Sequence, residues 1–182
     1  GSEPPEAGVA KIAFGLGKAV VDGDQVLRFS PKYPRNVLQT STPELVMTET
    51  QQAMYALDLQ PDKFKTSVDD AVNLDRIPVT DCGGFRNFAR VVSTYDYENM
   101  RIVDSPVPKG PKFVTFAHIL KYRTFPLADI LTELLDIMQK EVKCGVEIEF
   151  AANLDVEPDS PAIFNVLQVR PISSDGLDTE VD

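Results

Sequence analysis

The chain is poor in the residues that build metal sites, disulfide frameworks and nucleophilic catalytic centres. Its 182 residues include no tryptophan, one histidine and two cysteines. His118 has no second histidine and no cysteine at ligand spacing, which argues against a zinc site, and we expect it to be structural. No serine stands with the oriented base and acid of a catalytic triad. Cys82 and Cys144 lack the spacing of a disulfide framework, so we expect reduced thiols and a cytoplasmic location.

Long apolar runs and excess positive charge are also missing. No stretch approaches the roughly 18 apolar residues of a membrane helix, and we expect neither a membrane span nor a signal peptide. The 28 acidic residues outnumber the 18 basic ones, which gives a formal net charge of −10. Because this charge repels phosphate backbones and anionic lipids, we predict no binding to nucleic acid or membranes. A small phosphorylated ligand is still compatible with this net charge if basic residues lie close to it and a divalent cation binds with it. For the basic cluster of Lys112, Lys121 and Arg123 we favour solvated charge.

The length and the hydrophobic content of 43% are typical of about one soluble domain with a real core. We expect an α+β fold over residues 3–172, built mainly from antiparallel sheet with packed helices. Gly1-Ser2 is expected to be a cloning remnant, and the abrupt start after it indicates a segment of a longer protein. Residues 173–182 are acidic and expected to be disordered.

A glycine-bearing turn precedes an apolar run between Phe14 and Val21. A phosphate-binding P-loop fails here, since Ile12 stands in place of its first glycine and Ala19 in place of its Ser or Thr. A dinucleotide fingerprint starting at Gly15 fails as well, because Val20 stands where a small residue is needed. On these residues alone we predict a tight turn between strands.

Weaker patterns extend to residue 111. Ser41 or Thr42 is expected to cap a helix that begins at Pro43 and runs to about Leu57. The patterns further predict strands at residues 25–30, 36–39, 88–95 and 100–103, a short helix at 68–74, a turn at 80–84 and a loop at 105–111.

The clearest pattern is a helix followed by paired strands near the end of the chain. From Pro126 to Val142, apolar residues recur at three- and four-residue spacing, which predicts one buried stripe. Gly145 is expected to supply the left-handed stop of this helix. The runs Gly145–Phe150 and Phe164–Pro171 alternate apolar and polar residues, which predicts two half-buried strands with the helix packed on their sheet.

Four polar residues of these strands form a candidate site. Glu147 and Glu149 share one face of the first predicted strand, and Gln168 and Arg170 share one face of the second. Adjacent like charges on a sheet are unfavourable unless a cation or an arginine lies between them. Mg²⁺ prefers carboxylate and amide oxygens with substrate phosphates, and arginine clamps phosphate at two points. The same residues also suit the polar face of an ordinary half-exposed hairpin.

Taken together and in this order, the segments Gly15–Val21, Val146–Phe150 and Leu167–Ile172 resemble the ATP-binding domain of phosphoenolpyruvate synthases and pyruvate phosphate dikinases. The final strands of that family similarly carry acid-Ile-Glu-aromatic and then Gln-x-Arg-Pro. The resemblance implies an ATP-grasp fold, of which this chain is the C-terminal lobe with a family-specific insertion at residues 60–110. It implies a reaction that moves phosphate from Mg-ATP to a histidine on a separate domain and then to pyruvate.

The resemblance also implies a role for each polar residue. Glu147, Glu149 and Gln168 are implied as Mg²⁺ ligands, and Glu149, Gln168 and Arg170 as contacts to ATP. Arg170 is further implied as a catalytic residue, because phosphoryl transfer requires electrostatic clamping of the transferring group. The implied partners are the N-terminal ATP-grasp lobe, a phosphohistidine domain and a pyruvate-binding barrel. Without them the isolated chain is expected to be inactive.

The chain departs from the family pattern in two places. Lys18 follows the Gly-Leu-Gly turn where family members usually carry an acid. The spacing from Glu149 to Gln168 is longer than usual, with residues 153–161 as an inserted loop. Lys18 favours the alternative interpretation, a non-catalytic ATP-grasp relative that acts as a nucleotide sensor or a scaffold.

Overall fold

The structure is a computed structural model that describes residues 8–69, 71–154 and 159–172. The chain divides into two compact units, Gly1–Thr124 and Phe125–Asp182. Helices and small antiparallel sheets both occur in the described residues, so the predicted α+β class is confirmed. The predictions for Gly1-Ser2 and for residues 173–182 lie outside the described residues.

The first unit is built from short elements. Its strands are β1 (Ala10–Ile12), β2 (Leu27–Phe29), β3 (Ala53–Leu57), β4 (Leu74–Pro78), β5 (Val92–Asp96), β6 (Arg101–Val103) and β7 (Lys112–Val114). Its helices are α1 (Lys18–Val21), α2 (Pro43–Glu49), α3 (Phe88–Val91) and α4 (Ala117–Leu120), with 3₁₀ helices at Leu38–Thr40 and Val79–Gly84. Antiparallel pairing joins β1 to β2, β3 to β4, and β5 to both β6 and β7. The largest fully buried aliphatic side chains of this unit are Leu27, Val46, Val92, Val114 and Leu120.

Helix α2 begins where the sequence predicts and ends early. The Thr42 hydroxyl accepts a hydrogen bond from the Leu45 N–H at 3.3 Å, which is the expected N-cap. The helix ends at Glu49, so the prediction that it runs to about Leu57 is wrong. The residues of β3 pair with β4 instead, because a partner strand satisfies their backbone groups and overrides a weak local preference.

Other predictions for short segments of this unit are also corrected. The glycine turn leads into α1, not into a strand, and residues 38–40 and 79–84 are 3₁₀ helices. The described residues of 68–73 form a bend and a turn, and Leu74 is the first residue of β4. The first half of 88–95 is α3. The hairpin of β5 and β6 and the loop at 105–111 are confirmed. Short segments are decided by their distant partners, which local patterns do not contain.

The second unit contains α5 (Leu127–Val142), followed by β8 (Gly145–Asn153) and β9 (Ile163–Ile172), which pair antiparallel. Leu127 and Leu131 are each 4% exposed, so the predicted stripe is buried at its start, whereas Val142 at its end is 42% exposed. Lys143 takes the left-handed position after the helix with φ 55°, so the prediction that Gly145 supplies this stop is wrong. Helix α5 contacts β8. This contact supports a two-stranded sheet that is marginally stable by itself.

Candidate functional site

Four polar side chains meet on one side of the β8–β9 hairpin. Glu147 is the direct cross-strand partner of Arg170, and Glu149 is the direct partner of Gln168. Direct partners point to the same side of an antiparallel sheet, and alternate residues of a strand share that side. We call Glu147, Glu149, Gln168 and Arg170 the polar face. The structure thus brings together every candidate ligand of metal or nucleotide that the sequence provides.

A β-bulge beside the polar face keeps the two strands in phase. The pairing passes from Glu149 with Gln168 to Phe150 with Val166, so Leu167 has no direct partner. The adjacent apolar residues Val166 and Leu167 interrupt the alternation of the sequence. Because the bulge absorbs one residue, Val166 stays with Phe150 on the side opposite the polar face.

The side opposite the polar face is apolar and stabilises the pairing. The rings of Phe150 and Phe164 stack with their centroids 5.2 Å apart. Such aromatic pairs contribute about 0.5–1.5 kcal/mol beyond the area that they bury. Val146 is buried and Ile148 is half-buried on the same side. The polar face therefore lies on a sheet that other residues hold together.

Arg170 neutralises part of the negative charge of the polar face. Its Nη2 donates to Oε1 of Glu147 and lies 3.6 Å from Oε1 of Glu149. A guanidinium between two carboxylates relieves the repulsion of adjacent like charges. The side chains of Glu147, Glu149 and Arg170 are 53%, 49% and 53% exposed. At such exposure each ion pair contributes about 0–1 kcal/mol, so Arg170 can exchange partners at low cost.

The donor set of the polar face fits a magnesium–phosphate complex better than a free metal ion. Glu147, Glu149 and Gln168 offer carboxylate and amide oxygens, which are hard ligands of the kind that Mg²⁺ prefers. Within residues 8–69, 71–154 and 159–172, no group of three or more His, Cys, Asp or Glu side chains could hold a metal ion. Mg²⁺ usually takes one or two carboxylates and completes its shell with water and substrate phosphates. Two carboxylates and an amide match that pattern.

The glycine turn of the first unit is fixed by a buried glutamine. The Gln51 side chain accepts a hydrogen bond from the Phe14 N–H and donates one to the Phe14 carbonyl, both at 2.8 Å. Gly15 has φ 87°, and a Cβ atom there would lie 2.8 Å from the Tyr55 carbonyl oxygen. Only glycine therefore fits this position without strain.

Lys18, the residue that departs from the family pattern, has internal partners. Its Nζ lies 2.7 Å from Oδ2 of Asp22 and 5.7 Å from the ring centroid of Tyr55. The hydrogen bond with Asp22 is the main cause that raises the pKa of Lys18, and burial opposes it. The lysine is therefore protonated at neutral pH, and its charge interacts with the turn that follows α1.

A cavity in the first unit brings together charged residues that are distant in sequence. It encloses about 90 Å³, and its charged lining residues are Arg35, Asp104 and Lys121. Asp104 accepts hydrogen bonds from the Ser93 hydroxyl at 2.8 Å and from Lys121 Nζ at 3.1 Å. These partners lie on separate segments, so no local pattern in the sequence announces them. The carboxylate is paired within the unit, and we interpret the cluster as structural.

The predicted basic cluster is not simply solvated. Nζ of the half-buried Lys112 donates to the Thr94 hydroxyl at 2.9 Å and to the Pro108 carbonyl at 2.5 Å. Burial lowers the pKa of Lys112. Lys121 forms an ion pair with Asp104 at 3.1 Å. The interpretation as solvated charge is therefore wrong for Lys112, whereas the Lys121 side chain is 45% exposed beside its ion pair.

His118 and Cys82 lie far from the polar face in sequence, whereas Cys144 directly precedes β8. The His118 ring lies on α4 with its centroid 6.0 Å from that of Tyr122. Cys82 is buried and Cys144 is exposed, and both are free thiols. Burial is the main cause that raises the pKa of Cys82, which keeps this thiol protonated.

Comparison with known proteins identifies no relative. No family model, no curated protein and no solved structure matches the chain. Across the described part of the chain, every helix is too short or too polar to cross a membrane. The functional interpretation therefore depends on the residues of the polar face and on the segments that carry them.

Proposed function

We propose that the chain is the ATP-binding C-terminal lobe of a phosphoenolpyruvate synthase-like phosphotransferase with an ATP-grasp fold. The polar face is the observation that carries the proposal. Two carboxylates, an amide and a guanidinium lie side by side on paired strands, in the segments that resemble the acid-x-Glu and Gln-x-Arg-Pro patterns. An ordinary half-exposed hairpin has no need of this particular set, whereas a metal–nucleotide site uses every member of it.

Each residue of the polar face has a role in the proposal. Glu147, Glu149 and Gln168 supply oxygen ligands for Mg²⁺, which when bound offsets the negative charge of the nucleotide phosphates. Glu149 and Gln168 also orient the nucleotide. Arg170 binds phosphate oxygens through its planar guanidinium and stabilises the charge on the transferring phosphoryl group.

The acceptor of the phosphate belongs to other parts of the proposed protein. There, ATP phosphorylates a histidine on a separate domain, and the phosphate then passes to pyruvate. The N-terminal ATP-grasp lobe, the phosphohistidine domain and the pyruvate-binding barrel are the proposed partners. This chain contributes nucleotide binding, and we expect no phosphotransfer from it alone.

Glu149→Ala and Arg170→Ala in the longer protein test the proposal. We expect each to lower ATP-dependent phosphotransfer by about a hundredfold or more, as does the loss of one preorganised electrostatic contact in other enzymes. Because both side chains are about half exposed, we expect each variant to change the free energy of unfolding by less than about 1 kcal/mol, measured by urea titration. Lys140→Gln, at an exposed position of α5, is the control and should retain activity. Wild-type turnover in either polar-face variant would overturn the proposal.

A non-catalytic ATP-grasp relative, acting as a nucleotide sensor or a scaffold, is the second candidate. Lys18 favours it, because a lysine paired with Asp22 stands where family members usually carry an acid. Calorimetry of the longer protein with Mg-ATP separates the candidates. Binding with turnover supports the enzyme, binding without turnover supports a sensor, and no binding supports a scaffold.

A further inference from the structure

Arg170 lies where a cation bound to both carboxylates of the polar face needs room. Its guanidinium donates to Glu147 and lies 3.6 Å from Glu149. We propose that Arg170 is an internal counter-ion that disfavours a free divalent cation, so that the polar face binds a cation more tightly together with a polyphosphate than alone. The identification of that polyphosphate as ATP rests on the proposed function, whereas the charge argument stands on the hairpin alone.

The charges of the polar face disfavour a free cation and a free polyphosphate as separate ligands. Two carboxylates and one guanidinium leave a single net negative charge. A free divalent cation either stays beside the guanidinium and is repelled by it, or displaces it from Glu147 and Glu149 into solvent. A free polyphosphate can pair with Arg170 but meets the two carboxylates, which repel it. Each ligand by itself therefore pairs with the opposite charge of the polar face and is repelled by its like charge.

A complex of cation and polyphosphate removes both conflicts. Phosphate oxygens accept the donors of Arg170 in the planar geometry that guanidinium favours, and this releases the carboxylates. The cation then replaces the charge that the arginine withdrew from Glu147 and Glu149. The exchange costs little because the three side chains are about half exposed and their ion pairs are weak. Arg170 thereby makes binding of the two ligands interdependent, and such coupling is reciprocal.

Mn²⁺ titration of this chain tests the inference without any measurement of activity. Paramagnetic broadening of the backbone amide signals of β8 and β9 reports Mn²⁺ at the polar face. We expect Arg170→Gln to bind Mn²⁺ alone about three- to tenfold more tightly than the wild type, because a repelling charge is gone. Arg170→Lys keeps that charge, so its affinity for Mn²⁺ should stay within about twofold of the wild-type affinity. The same is expected of Lys140→Gln, which removes a positive charge from an exposed position on α5. Inorganic tripolyphosphate should tighten Mn²⁺ binding in the wild type and have little effect in Arg170→Gln.

The outcomes separate this inference from the proposed function. Unchanged or weaker Mn²⁺ affinity in Arg170→Gln overturns the inference, as does the absence of Mn²⁺ binding in both proteins. Mg-ATP binding by the longer protein would leave the proposed function standing in that case. Tighter Mn²⁺ binding in Arg170→Gln without any Mg-ATP binding by the longer protein supports the inference and overturns the assignment of ATP. Unchanged amide signals outside the hairpin verify that each variant is folded.

Discussion

Glu149 and Gln168 are direct cross-strand partners, and the next pair along the hairpin, Phe150 and Val166, is reached only by skipping Leu167. The polar face therefore ends at the bulge. Bulges re-aim side chains and increase local twist. Without the bulge, the adjacent residues Val166 and Leu167 would shift the alternation of β9, and Val166 would point to the side of the polar face. The bulge absorbs one residue, so Val166 stays on the same side as Phe150.

Deletion of Leu167 should preserve the hairpin. The remaining residues of β9 then alternate without interruption, and Leu167 itself is 64% exposed, so little buried area is lost. We expect the pairs Glu149–Gln168 and Phe150–Val166 to persist, with the opening free energy of β8 amides changed by less than about 1 kcal/mol. Cross-strand nuclear Overhauser effects and amide hydrogen exchange measure the two quantities.

Deletion of Val169 is the matched control for this prediction. It shifts Gln168 by one position relative to β8 and so moves its side chain away from Glu149, since a one-residue slip exchanges the two sides of a strand. We expect loss of the Glu149–Gln168 pair and much faster exchange in β8. Equal damage from the two deletions would contradict the proposed role of the bulge.

Gly15→Ala should destabilise the first unit. Its φ of 87° is unfavourable for alanine, and the added Cβ would lie 2.8 Å from the Tyr55 carbonyl oxygen. We expect a loss of about 1–3 kcal/mol in the free energy of unfolding, measured by urea denaturation. Gly17→Ala is the control, because Gly17 has φ −66° and a Cβ atom added there would meet nothing within 4 Å beyond its chain neighbours. At position 17, alanine is a weaker N-cap than glycine but makes the unfolded chain less flexible. These two effects offset each other, so the free energy of unfolding should change by less than about 0.5 kcal/mol.

Asp96 should make the stability of the first unit depend on pH in the acidic range. The hydrogen bond from the Asn99 side chain is the main cause that lowers the pKa of Asp96, and the N–H groups of Asn99 and Glu98 add to it while burial opposes it. A carboxylate with a lowered folded-state pKa contributes stability that is complete above its unfolded-state pKa of about 3.9 and is lost as pH falls through the folded value. Asp96→Asn should therefore lower the urea midpoint at pH 7, and this difference should shrink as the pH is lowered below about 4. Glu98→Gln removes a charge from the same turn as a control. A difference in urea midpoint between the wild type and Asp96→Asn that is constant with pH, or that grows in acid, would contradict this prediction.

The sequence predicted best where a pattern repeats over many residues. Helix α5 carries its stripe over Leu127–Val142, and β8 and β9 carry long alternations, so one or two irregular residues do not alter the outcome. The sequence also predicted the Thr42 cap, because the hydrogen bond of the cap joins Thr42 to the first turn of the same helix. The failures fall on short segments. Ala53–Leu57 could extend a helix locally, and only the presence of β4 makes it a strand.

The arrangement of the polar face follows partly from the sequence and partly from the tertiary structure. The alternation of residues by itself placed Glu147 with Glu149 and Gln168 with Arg170, since a strand allows no other arrangement of alternate side chains. Which residue stands opposite which was decided by the tertiary structure, because the register depends on pairing across the hairpin and on the bulge at Leu167. That register sets Arg170 against Glu147 and beside Glu149. The sequence therefore determined the chemical groups of the candidate site, and long-range pairing determined that the arginine lies between the carboxylates.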